Sequence, residues 1–187
     1  TDRNWQLALQ HREKLQIATI FDPKCINNDL RSHDAVEDAI QWCCSMGVTR
    51  VYLETFRMGR FSEHEVLRRV RDHFAEKGFE VAGGVTTNSL GKTSTGWEMC
   101  CCYSDEASRK GLQEAFRQAA GMFDLLMIDD FFFTDCECDK CREAKGDRSW
   151  ADFRCELMLQ VAREDILDTV KTVNPECRVI LKFPQWL

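Results

Sequence analysis

The sequence lacks any apolar run that approaches the roughly 20 residues needed to span a bilayer, and no signal peptide is visible at its start. It also lacks a basic excess, because 25 Lys and Arg stand against 31 Asp and Glu. Non-specific binding of nucleic acid depends on clustered Lys and Arg. We therefore expect neither a membrane nor a nucleic-acid partner. The chain begins at Thr1 rather than at a methionine, so export followed by processing stays open.

Two catalytic signatures are missing as well. No glycine-rich phosphate loop follows the first predicted strand, where residues 21–24 read Phe-Asp-Pro-Lys, and this argues against a nucleotide site. The four histidines show no metal-ligand spacing, and none follows a strand end beside a Ser or Cys. A nucleophilic triad is therefore not supported.

Cysteine, in contrast, is abundant, with eleven in 187 residues. The number is odd, and a chain of this length can bury a core without a disulfide scaffold. Cys43 and Cys44 are adjacent in a predicted helix, where neighbouring thiols rarely pair. These features favour a reducing compartment and predict a cytoplasmic protein.

Short apolar runs rich in β-branched residues alternate with longer helical patterns, which is typical of a parallel sheet covered by helices. The predicted strands are 17–21, 50–56, 80–85, 125–131 and 178–183, and the predicted helices are 32–46, 62–77, 105–122 and 149–173. The predicted helix caps are Ser62, with Glu65 three residues on, and Ser104 or Asp105. The pattern predicts one α/β domain over residues 1–187.

Polar residues stand at the carboxyl end of every predicted strand, as they do in a (β/α)8 TIM barrel. They are Asp22, Glu54 with Arg57, Thr87 with Asn88, Asp129 with Asp130, and Lys182. We therefore favour a TIM barrel over an open doubly wound sheet. The chain would hold the N-terminal part of one such domain, comprising its first four βα units and strand five.

A C-x-C-x-x-C motif formed by Cys136, Cys138 and Cys141 follows the fourth predicted strand. A structural zinc ion needs four ligands in a tetrahedron, and zinc is the default among ions that select thiolates. The fourth ligand would come from residues 100–102, with Cys102 preferred because it lies nearest the predicted helix cap. Unliganded or oxidised thiols, and a mixed-ligand catalytic zinc, remain alternatives.

The stretch from Cys102 through Asp129-Asp130 to the cysteine motif, followed by residues 150–154, resembles the zinc-containing β-galactosidases of glycoside hydrolase family 42, and more broadly glycoside-hydrolase-like barrels. The resemblance implies a structural zinc shared by Cys102 and the motif. It also implies that Asp129 and Asp130 occupy the positions of an Asn that contacts the sugar and a Glu that is the general acid. The Asp side chain is one methylene shorter than Glu, and the family's nucleophile would lie beyond Leu187.

Hydrolysis of a glycosidic bond needs one carboxylic acid and one carboxylate. We predict Asp130 as the acid and Asp129 as the second catalytic candidate. Neighbouring strand residues point to opposite faces, so only one enters the barrel unless the strand end twists; if both do, repulsion raises the pKa of one. The alternative is that one aspartate caps a loop and the other pairs with Arg57 or Lys182.

We expect a carbohydrate substrate, with Trp97 and Trp186 as platforms on which a sugar ring stacks. The remaining predicted substrate-binding residues are Glu54, Arg57, Asn88 and Lys182. The predicted function is hydrolysis of an O-glycosidic bond, and the alternative is a non-catalytic carbohydrate-binding or scaffolding barrel stabilised by zinc. The sequence leaves homo-oligomerisation open.

Overall fold

The protein is described by a computed structural model that covers residues 2–11 and 14–182. The elements, in chain order, are α1 (Asp2–Gln10), β1 (Ala18–Phe21), α2 (Pro23–Asn28), α3 (His33–Ser45), β2 (Arg50–Arg57), β3 (Arg60–Phe61), α4 (His64–Glu76), β4 (Glu80–Val85), α5 (Glu106–Ala120), β5 (Leu125–Ile128), α6 (Asp139–Lys145), α7 (Trp150–Val161), a π-helix (Ala162–Leu167), α8 (Asp168–Val173) and β6 (Arg178–Leu181).

Five strands form a parallel sheet in the order β1-β2-β4-β5-β6, and the short β3 pairs antiparallel with β2. The spatial order equals the chain order. A doubly wound sheet instead reverses its strand order partway, whereas sequential order is the rule in a TIM barrel. The structure therefore confirms the α/β class and is consistent with a partial TIM-barrel-like fold.

The two faces of the sheet are packed differently. Side chains of one alternation, such as Leu53 and Leu126, join the main core together with helix residues such as Phe74 and Phe116. Side chains of the other alternation form a separate small cluster of Tyr52, Ala82, Leu125 and Met127. Since successive strand residues point to opposite faces, the helices cover one face, as in a barrel.

The predicted helix starts were partly right. Asp105 accepts a hydrogen bond from Ala107 N (3.1 Å) and caps α5 as predicted. Ser32, the predicted start of the first long helix, caps α3 through a hydrogen bond from Ala35 N to Ser32 Oγ (3.2 Å). The predicted Ser62 cap is wrong, because Ser62 Oγ donates to the Glu54 carbonyl oxygen (2.6 Å) and Glu63 precedes α4 without a side-chain cap. That hydroxyl satisfies a buried backbone group of β2 instead.

Several elements differ from the predicted bounds. Helices α1, α2 and α6 were not predicted, and Asp22, a predicted strand-end polar residue, caps α2 by accepting from Cys25 N (2.7 Å). The predicted helix 149–173 is present with a π-helical interruption over Ala162–Leu167. Strand β5 ends at Ile128, so Asp129 and Asp130 lie just past it.

Across the described residues, no helix is both long and apolar enough to cross a membrane. All eleven cysteines of the sequence fall within the described ranges, and each is free of disulfide bonds.

Candidate functional site

Polar side chains from three strand ends converge at one edge of the sheet. Glu54 continues the alternation of Tyr52 in β2, and Asp129 continues that of Met127 in β5, so both point away from the helix layer. Lys182 follows β6 directly. Because the strands are parallel, their carboxyl ends meet at the same edge, and this brings residues distant in sequence into one network.

Glu54 is fully buried at the centre of this network. Its Oε1 accepts from Thr86 Oγ1 and from Arg57 Nη1 (3.1 Å), and its Oε2 lies 3.3 Å from the same Arg57 nitrogen. A Cβ on Gly84, its register partner, would lie 2.9 Å from Glu54 Cγ, so a glycine leaves room for the carboxyl. Burial raises the pKa of Glu54 to about 7, against the opposing effect of Thr86 and Arg57.

Asp129 is also buried, but it is held by two cations. It accepts from Lys182 Nζ at Oδ1 (2.7 Å) and from Arg57 Nη1 at Oδ2 (3.3 Å). Burial alone would raise its pKa, but the hydrogen bond and charge of Lys182, with the charge of Arg57, lower the pKa below its ordinary value. Asp129 is therefore a permanent carboxylate at neutral pH.

Asp130 lies at the rim of the network. Its side chain is 32% exposed, and its Oδ2 accepts from Lys182 Nζ at 3.1 Å. Within the described part of the chain, its Oδ1 has no hydrogen-bond partner. The carboxyl whose pKa is raised is Glu54, because it is buried. The ion pairing expected as an alternative role occurs at both aspartates.

The other predicted substrate residues have different surroundings. Asn88 is fully buried, and its Oδ1 accepts from Met58 N (2.8 Å) in the turn between β2 and β3. Trp97 is 40% exposed, and its ring lies 5.5 Å from that of Phe131 and 5.9 Å from that of Phe133. Trp186 lies outside the described residues.

Thr86 was missed by the sequence reasoning. It is fully buried, donates to Glu54 and lies 3.4 Å from Asp129 Oδ2, so it bridges the two carboxyl groups. Its position directly after β4 was the signal that could have found it.

The four predicted metal ligands come together. The sulfur atoms of Cys102, Cys136, Cys138 and Cys141 lie within 4.8 Å of one another. Three of the separations are 3.6 Å (Cys102 to Cys141), 3.7 Å (Cys102 to Cys138) and 3.8 Å (Cys138 to Cys141). A tetrahedral zinc with Zn–S bonds of about 2.3 Å requires sulfur separations of about 3.8 Å. The donor set therefore fits a tetrahedral thiolate site.

Local structure explains the cluster. Cys138 is the N-cap of α6, and Cys141 follows three residues later on the same side of the first turn. Burial opposes ionisation of Cys138, but the Cys141 backbone N–H and the neighbouring thiols lower its pKa to about 6. Cys101 is not part of the cluster, since its Sγ lies 3.6 Å from the Thr87 carbonyl oxygen. Among the three consecutive cysteines, geometry selects Cys102.

A second group of potential ligand atoms, from His33, Glu37 and His73, was not expected from the spacing of the histidines. His73 Nε2 and Lys77 Nζ each lie 2.7 Å from Glu37 Oε1. The carboxylate is thus already neutralised by the lysine, which weakens the case for a cation there.

Comparison with known proteins identifies a family and a relative of this chain. The family model described as "Probable glycosyl hydrolase, catalytic domain" matches residues 3–187. The "Uncharacterized protein SSO3021" of Saccharolobus solfataricus is 25% identical over 183 residues, which cover 83% of this chain and 30% of that protein. The chain thus spans about 30% of the length of this curated relative. No solved structure matches the chain significantly.

Proposed function

Because this chain belongs to the family of probable glycosyl hydrolase catalytic domains, we propose that it contributes the general acid for hydrolysis of an O-glycosidic bond. The observation that carries the proposal is the convergence of three carboxyl groups with two cations at the carboxyl edge of the parallel sheet. In TIM-barrel enzymes this edge holds the active site, and glycoside hydrolysis is carried out by carboxyl groups.

Asp130 is the proposed acid, because its side chain is 32% exposed against 6% for that of Asp129, and because its buried Oδ1 makes no hydrogen bond to a described residue. It would donate its proton to the leaving oxygen as the glycosidic C–O bond breaks. Lys182 Nζ lies closer to Asp129 than to Asp130. Lys182 would therefore keep its ion pair with Asp129 while Asp130 is protonated.

The remaining residues of the network divide by exposure. Arg57, Lys182 and Trp97 are partly exposed, and we assign them contacts with the sugar. Glu54 and Asn88 are fully buried. Neither would contact the substrate. Glu54 would position Arg57, and Asn88 would position the turn at Met58.

Zinc is the proposed occupant of the four-cysteine cluster, supported by the sulfur separations near the tetrahedral edge length. Cys102, Cys136, Cys138 and Cys141 would hold it. Four thiolates leave no open coordination position, so the ion would stabilise the loop after β5 and take no part in the chemistry. This assignment is also the feature through which the chain resembles family 42.

The acid role is tested with aryl glycosides in the natural polypeptide that carries this chain. We expect Asp130→Asn to slow substrates with poor, basic leaving groups strongly and those with good leaving groups much less, because only the former need protonation. Asp147→Asn, at an exposed site between α6 and α7, is the matched control. Equal rates for wild type and Asp130→Asn on both kinds of substrate would remove Asp130 from the mechanism.

A non-catalytic carbohydrate-binding role is the second candidate. It is favoured by the partly exposed Trp97 ring on its aromatic support and by the ion pairing of Asp129 and Asp130 with Lys182. Sugar binding that depends on Trp97, without turnover of any aryl glycoside, would select this function.

A further inference from the structure

The Trp97 indole lies beside the segment that follows Asp130. It packs against Phe131, which follows Asp130 directly in the chain, and it stacks on Phe133 at an interplanar angle of 27°. Its backbone belongs to the long loop between β4 and α5, where an isolated antiparallel bridge pairs Thr93 with Cys101 and Cys100 N donates to the Trp97 carbonyl oxygen at 2.9 Å. Side-chain contacts add to these backbone hydrogen bonds.

One carboxylate organises the turn that carries Trp97. Asp135 Oδ1 accepts from Ser94 Oγ, and Asp135 Oδ2 accepts from Trp97 N at 2.6 Å. Ser94 Oγ in turn accepts from Gly96 N at 3.0 Å. A Cβ on Gly96 would overlap the Asp135 carboxylate, so this position needs glycine for the close approach. Residues 94–97 thus wrap around a single side chain.

The same carboxylate belongs to the segment that carries the metal ligands. Asp135 precedes Cys136, whose sulfur lies 3.7 Å from Thr95 Oγ1. Thr95 Oγ1 also accepts from Glu137 N at 2.8 Å. Arg154 of α7 donates to the Asp135 carbonyl oxygen at 3.0 Å and so anchors the segment from the other side. The cysteine segment and the Trp97 turn therefore form one hydrogen-bonded unit.

We propose that Asp135 is a positioning residue that couples the four-cysteine cluster to the Trp97 indole. A cation held by the four sulfurs fixes the conformation of residues 136–141. Asp135, which precedes this segment, then holds the turn at 94–97 through its hydrogen bonds and so fixes the position of the sugar-stacking Trp97 ring. The inference rests on the proposed function for the identity of the cation and for the role of Trp97. Beyond the proposed function, the inference is that binding of the metal ion orders the substrate-binding surface at Trp97, although the ion does not contact the substrate.

The test follows the emission specific to Trp97, obtained as the difference between each protein and the same protein carrying Trp97→Phe. Acrylamide quenching and zinc content are measured together in the natural polypeptide. We expect chelation to make Trp97 more accessible to acrylamide, and Asp135→Asn to do the same with zinc still bound. The Asp135 carboxylate accepts charge-assisted hydrogen bonds from the turn. Weakening one of them should shift the equilibrium between the ordered and the disordered turn by about tenfold. Asp147→Asn should leave the emission unchanged.

Gly96→Ala is a second variant that keeps every charge and pushes the turn away from Asp135. It should raise the accessibility of Trp97 as Asp135→Asn does. Unchanged Trp97 quenching in both variants, with zinc content at the wild-type level, would overturn the role of Asp135. Absence of zinc from the reconstituted wild-type protein would instead overturn the metal assignment, and the two variants would still report on the positioning role.

Discussion

Glu54→Gln probes the buried carboxyl at the centre of the network with almost no change in shape. Glu54 is fully buried, and its pKa in the folded protein is about 7, compared with an ordinary value of 4.5. The folded state therefore binds a proton more tightly than the unfolded state between these pH values. By linkage, the stability that Glu54 contributes is fully present below pH 4.5 and is lost as the pH rises through about 7.

The size of the effect follows from the difference in pKa. At about 1.4 kcal/mol per unit, the rise from 4.5 to about 7 corresponds to about 3 kcal/mol. Glutamine does not titrate. The stability of the wild type relative to Glu54→Gln should therefore fall by about 3 kcal/mol between pH 4.5 and pH 8.

The assay is urea unfolding followed by circular dichroism at pH 4.5, 6, 7 and 8, with the slope m checked for constancy. Glu76→Gln on the exposed surface of α4 is the matched control and should show no such trend. A difference between wild type and Glu54→Gln that stays constant over this range would refute the reasoning. It would mean that Arg57 and Thr86 stabilise the ionised carboxylate as well as water does.

Two further predictions concern the cysteine cluster and the shared lysine. Cys138→Ser should lower the thermal unfolding temperature and abolish zinc binding, whereas the exposed Cys155→Ser should change neither; equal zinc content in the two variants would contradict the cluster as the binding site. Lys182→Met removes the main group that lowers the pKa of Asp129, so it should destabilise the protein at neutral pH, and the loss should shrink as the pH falls below 3.8. Denaturant unfolding from pH 3 to 7 measures this, and a loss that is the same at every pH would exclude the ion pair as its cause.

Much of the fold could be predicted from patterns that are local in the chain. The alternation of strands and helices, the cap at Asp105, and the C-x-C-x-x-C spacing each depend on residues a few positions apart. Strand-end polarity was also enough to indicate the edge where the carboxyl groups gather. The cap at Ser62 was wrong for a related reason, since its hydroxyl bonds to a carbonyl of the preceding strand rather than to its own helix.

The sequence by itself determined which chemical groups this protein has available: thiols spaced for one cation, and carboxyls at the ends of parallel strands. Tertiary structure decided how those groups differ. It brought Cys102 into the cluster and buried Glu54 while leaving Asp130 at the rim. It also placed the Asp135 carboxylate within hydrogen-bonding distance of Trp97 N. The physical reason is that pKa and ligation depend on distances between residues far apart in the chain, such as Arg57 and Asp129, which are 72 positions apart yet within 3.3 Å.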